Sequence, residues 1–144
     1  MLSSSCDPSG GNSQLPEVLP DHAFNAMFSP DSGGITGADG LFSIPLADGR
    51  TVFLTGDCFL GEVIEGRRDP GTKMLNNSMI VIGRDGSHAE AVYRGSYDEP
   101  ETLFIPDQDK YPGHWYWPGH GFATDSILYV FALNMYNDPA LVIP

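Results

Sequence analysis

Two carboxylates, Asp39 and Asp57, flank two apolar runs in the stretch 39–61, D-G-L-F-S-I-P-L-A-D-G-R-T-V-F-L-T-G-D-C-F-L-G. The runs meet at Asp48-Gly49, a pair whose backbone preferences suit a tight hairpin turn. Such a turn folds the second run back along the first and brings both acidic ends to one rim. Paired carboxyls serve general acid–base chemistry when one is kept neutral to give a proton and the other stays ionised to take one or to attack. The stretch therefore reads as half of an active site.

The elements that must hold this rim are strands. Residues 41–46 and 51–55 form the hairpin, with Pro45 lacking a backbone donor and so suited to an edge or a bulge. Residues 77–83, with Met79-Ile80-Val81-Ile82, give a third strand buried on both faces, and 88–94 an outer fourth after the Asp85-Gly86 turn. Four antiparallel strands in this order make one up-and-down sheet. Further along, 24–30 reads as a short edge strand, 31–37 as a Gly-rich loop without the Gly-Lys-Ser/Thr ending of a phosphate cradle, and 102–105 as a short strand. Residues 126–133 read as a strong late strand, and 140–143 as a strand-like run.

Composition agrees. With 17 Gly, 12 Pro and 11% aromatic residues but only 18% charged ones, the 144-residue chain suits many short strands and sharp turns, so an all-β fold is expected. The net charge of −12, with only seven Lys and Arg, sets nucleic acid aside, because a phosphate backbone is bound by displacing its counterions with cations. A neutral polymer meets no such obstacle. His114 and His120 lack the spacing of a helical metal pair, and Asp107-Gln108-Asp109 lacks the Gly and closing Glu of a calcium loop, so neither metal nor cofactor is expected. Cys58, within an apolar run, reads as a small buried residue.

Residues 1–22 have turn formers and no period and read as a flexible tether, with 23–144 as the folded domain. Ser3-Ser4-Ser5-Cys6 followed by a Gly/Ser/Pro tract resembles the end of a bacterial lipoprotein signal, which implies a lipid anchor at Cys6 and a secreted or cell-surface location. The other reading is a plain N-terminal tail.

The stretch 39–61, followed by Asn76-Asn77-Ser78 before an apolar strand and by W-Y-W-P-G-H-G at 115–121, resembles bacterial five-bladed β-propeller domains of the glycoside-hydrolase type, related to endo-D-arabinanase and other arabinanase-like propellers. The resemblance covers about residues 24–133. It implies a partial β-propeller of about two to three blades of four antiparallel strands, consistent with blade repeats of about 40–50 residues. It further implies a sugar polymer bound at one end of the central channel, with Asp39 as catalytic base or nucleophile. Asp57 would orient that base, bind a sugar hydroxyl or cap its turn. Asn77 would hydrogen-bond sugar hydroxyls or serve its own turn, Trp115 and Trp117 would stack on sugar rings or fill core, and His120, between two glycines, would approach the ligand. The catalytic acid of such a pair has no clear candidate in this chain. Where such sequences commonly have Thr, this one has Cys58.

Three readings follow. The first is a carbohydrate-active propeller acting on a polysaccharide or oligosaccharide. The second is a propeller that binds carbohydrate without turnover. The third is an inactive part of a longer protein, whose exposed sheet edges favour self-association.

Overall fold

The computed structural model describes residues 17–28, 30–138 and 140. In chain order the elements are α1 (His22–Met27), β1 (Ile35–Ala38), β2 (Phe42–Pro45), β3 (Thr51–Thr55), β4 (Cys58–Leu60), β5 (Val63–Ile64), β6 (Arg67–Arg68), β7 (Met74–Leu75), β8 (Ser78–Ile82), β9 (Ala89–Val92), β10 (Arg94–Gly95), β11 (Pro100–Glu101), β12 (Trp115–Thr124) and β13 (Ile127–Met135). The fold is all-β, built from antiparallel sheets. A four-stranded sheet β2-β3-β8-β9 lies at the centre, with a three-stranded sheet β1-β4-β7 and a two-stranded ribbon β12-β13 beside it. The pairs β5-β6 and β10-β11 are short outer hairpins.

The hairpin 41–55 forms as the sequence predicts. Leu46 and Arg50 close it through a 2.8 Å bond, and Gly49 takes φ +87°, a left-handed conformation that a side chain would strain. Pro45 ends β2 opposite Thr51, and β2 is an edge strand, so its missing donor costs the ladder nothing. The predicted third and fourth strands are β8 and β9.

Both faces of the central sheet are covered, which explains its unbroken apolar runs. Strand pairing places Ile44, Val52, Leu54, Met79 and Val81 on one face. There they pack against Ala123, Leu128 and Val130 of the β12-β13 ribbon. The opposite face carries Phe53, Ile80 and Ile82, which meet Ile35, Cys58, Leu60 and Leu75 of the three-stranded sheet. Leu54 and Cys58 are fully buried. Each buried Leu or Ile contributes about 1.5–3 kcal/mol relative to exposure.

Five expectations change. Residues 24–30 hold the end of a helix, not an edge strand: Asp21 caps α1 by accepting from the Phe24 N–H at 2.9 Å, and Met27 and Phe28 pack on the core. Residues 102–105 make no strand: the Leu103 N–H donates to the Asn77 carbonyl and the Phe104 N–H to the Asn77 side chain, while the Thr102 hydroxyl accepts from the Asn76 N–H. Residues 35–37, expected within a Gly-rich loop, open strand β1, which pairs with β4. The aromatic segment 115–121, for which no element was expected, is the first part of the ten-residue β12, with an irregular register between Pro118 and Gly121. Among the described residues one sheet has four strands, and the late strand pairs only with β12. The tether up to residue 16, including Cys6, and residues 141–143 lie outside the described residues; Ala140 is in a turn.

Candidate active site

Three segments of chain each pass from the three-stranded sheet into the central one or back. Ala38 pairs with Cys58 in the first, and Phe42 with Leu54 in the second; likewise Leu75 pairs with Cys58, and Ser78 with Thr55. The segments therefore break in register, at 39–41, at 56–57 and at 76–77. Residues at a shared break are freed from the ladder, and among them are Asp39, Gly56, Asp57, Asn76 and Asn77.

The backbone fixes the two acidic residues against each other. The Asp39 N–H donates to the Asp57 carbonyl at 3.1 Å, and the Gly56 N–H donates to the Asp39 carbonyl at 3.0 Å. Gly56 is buried, and its missing side chain is what lets its neighbours converge. A Cβ there would collide with Oδ1 of Asp39 and stand 2.9 Å from Nε1 of Trp117. Asp39, Phe42, Gly56 and Trp117, with Pro118 and Leu133, line an open cleft of about 300 Å³. His120 is exposed at its rim, its ring edge-on to Phe42 at 6.3 Å between centroids.

The two carboxyls sit in different surroundings. Asp39 is exposed, whereas Oδ1 of Asp57 is buried with no hydrogen-bond partner. Burial pushes the Asp57 carboxyl above the ordinary carboxylate range and the Asp39 charge adds to this, while the Asn76 side chain and the Trp117 indole pull it down. The indole thus stands near Asp57, yet its buried Nε1 completes no hydrogen bond either.

The structure brings Asp39, Asp57 and Trp117 together, with His120 at the edge. Trp115 is half-buried two residues along β12, opposite Met135, and does not line the cleft. Asn77 requires a correction. It is fully buried, its Nδ2 donating to the carbonyls of Phe104 (2.9 Å) and Tyr116 (2.8 Å) and its Oδ1 accepting from the Phe104 N–H (2.7 Å). Its side chain is committed to tying β8, the 102–104 loop and β12 together, and no donor is left for a sugar. Cys58 lies in the core beside Ser78, its Sγ 3.1 Å from that hydroxyl, with burial pushing its thiol up. Among the described residues no three His, Cys, Asp or Glu gather to hold a metal ion.

A family model described as "Domain of unknown function (DUF5005)" matches residues 21–142. The chain belongs to the DUF5005 family. No curated protein matches it. The domain's fold is similar to that of a solved structure of a putative hydrolase from Bacteroides ovatus ATCC 8483, with a TM-score of 0.68 at 17% identity over 91% of this chain. The match takes in 43% of that protein, so the DUF5005 chain spans less than half its length. At this identity the likeness is one of fold.

Asn76, Gly56 and Phe42 belong to the site but were not among the residues singled out from the sequence. For Gly56 the signal was present: Asp39-Gly40 and Gly56-Asp57 mirror each other about the Asp48-Gly49 turn. Nothing in the sequence marked Asn76 apart from Asn77.

Proposed function

We propose that the Asp39–Trp117 cleft of this DUF5005 domain recognises a carbohydrate chain and forms part of a hydrolytic site. The observation that carries this reading is the meeting, in one open cleft, of an exposed carboxylate and a tryptophan that are far apart in sequence. A flat apolar ring with a polar edge suits the apolar face of a sugar, and a carboxylate suits its hydroxyls. In hydrolysis Asp39 would be the ionised member of the pair, activating water or attacking the anomeric carbon. Asp57, behind Gly56, would act on its surroundings rather than on the sugar. The fold shared with a putative hydrolase supports hydrolysis as the reaction class, and the propeller architecture remains part of this proposal.

Binding without turnover is the second reading, and one observation favours it: among the described residues, Asp39 is the one ionisable side chain lining the cleft. Titration calorimetry against arabinan-type and other neutral cell-wall oligosaccharides, together with release of reducing ends, separates the two. Binding should weaken on Trp117→Ala by about 2 kcal/mol, roughly thirtyfold. Turnover abolished by Asp39→Asn with binding retained supports hydrolysis; binding with no turnover in the wild type supports the second reading. If Trp117→Ala binds every glycan as the wild type does, the cleft is not the carbohydrate site.

A further inference from the structure

Around Gly56 one buried donor and one buried acceptor lack partners, and they belong to neighbouring side chains. The donor is the indole N–H of Trp117 and the acceptor is Oδ1 of Asp57. An unpaired buried polar atom is costly, so two complementary ones side by side favour a small adjustment that pairs them. Both residues sit on backbone that is held firmly. Asp57 is bonded through its carbonyl to Asp39, and Asn77 ties the Tyr116 carbonyl, next to Trp117, to the central sheet. The missing side chain at Gly56 leaves the space in which the indole edge rests.

We propose that Asp57 is the positioning residue of the cleft: its carboxylate holds the Trp117 indole by its N–H beside Gly56, and so sets the ring that a ligand shares with Asp39. This deepens the carbohydrate reading, and rests on it only for the identity of the ligand. A hydrogen bond to a carboxylate is roughly twice as strong as one to a neutral acceptor. Protonating Asp57 therefore slackens the hold on the ring, and the cleft acquires a pH dependence that does not come from Asp39. The groups that face Asp57 are few. Asp39 and the buried Cys58 thiol are titratable, and Asn76 and Trp117 are uncharged; burial and the Asp39 charge raise the Asp57 pKa, placing its titration above the ordinary aspartate range.

The test needs no ligand, so a failed glycan titration leaves it intact. The chain has two tryptophans, and Trp115→Phe in the full chain leaves Trp117 as the sole indole reporter. Its emission and its quenching by acrylamide are followed from about pH 8 down to about pH 2.5, a span covering ordinary and raised carboxyl titrations. A single transition is expected, with quenching increasing on the acid side. Adding Asp57→Asn should abolish the transition and hold quenching at every pH near the level the Asp57 protein reaches on its acid side, because the neutral amide oxygen accepts from the indole about as weakly as a protonated carboxyl does; adding Asp57→Ala should leave the ring more quenchable still at every pH. Adding Asp39→Asn should keep the transition, displaced downward. A transition that survives Asp57→Asn, that vanishes with Asp39→Asn, or that is absent from the Trp115→Phe protein overturns the proposal. Equal protection in Asp57→Ala and Asp57→Asn overturns it as well, since a merely space-filling residue would give that result.

Discussion

Replacing Asn77 by Leu should unfold this domain more readily than its modest change in volume suggests. The substitution removes three hydrogen bonds at once and strands the carbonyls of Phe104 and Tyr116 and the amide of Phe104. Leaving a buried polar group unpaired costs about 1–3 kcal/mol, and these partners are half-buried, so the low end applies to each and the total is about 3 kcal/mol. For a domain of this size that lowers Tm by about 10 °C. Asn77→Ala should lose more, because a cavity adds to the unpaired groups. Asn77→Asp keeps the acceptor for Phe104 but turns both donors into a buried charge facing two carbonyls, and should be at least as damaging as Leu. Urea denaturation followed by circular dichroism gives the free energies, and an unchanged m value ensures that the transitions are comparable. If Asn77→Leu lies within about 1 kcal/mol of the wild type, the three bonds are not what holds β12 to the central sheet, and the assignment of Asn77 to structure fails.

Two further outcomes follow from single contacts. Gly121 stands where a Cβ would collide with the Tyr129 carbonyl and come within 2.9 Å of the Ile44 Cδ1, so Gly121→Ala should cost about 1–3 kcal/mol by prising the ribbon from the central sheet; a melting curve matching the wild type would contradict this. The Asp57 pKa is raised in the folded state, so its contribution to stability is fully present at low pH and is lost as pH rises through the folded-state pKa. Asp57→Asn should therefore be more stable than the wild type at neutral pH, with the gap closing on acidification. Chemical denaturation at several pH values checks the sign, and a gap that widens in acid would refute it.

The parts of the fold that could be read from the sequence are those whose signal is local. Asp48-Gly49 between β-branched and aromatic runs announces a hairpin, and Met79 to Ile82 announces a strand covered on both sides, as β8 is. The helix α1 left a trace that the strand reading passed over: Phe24, Met27 and Phe28 recur at helical spacing behind the capping Asp21. β12 was obscured by Pro118 and two glycines, which break the usual strand pattern, and its extension depends on pairing with β13. Within the site, residue types were legible and partnerships were not. Asp39 and Asp57 could be placed on one rim from the hairpin alone, but the arrival of Trp117 beside Gly56, and the diversion of Asn77 to hold carbonyls from two other segments, follow from contacts distant in sequence.

The outer row of β13 carries Ile127, Tyr129, Phe131 and Leu133, all exposed, and Phe122 of β12 stacks on Tyr129 at 4.7 Å. No Lys, Arg, Asp or Glu interrupts residues 127–136. The net charge of −12 at neutral pH opposes the approach of two such ribbons. That repulsion shortens in range with added salt and vanishes near the isoelectric point of about 4.3. The contrast between one exposed apolar ribbon and an acidic remainder makes adhesion between molecules an expectation for high salt and for pH near the isoelectric point, where light scattering would register it.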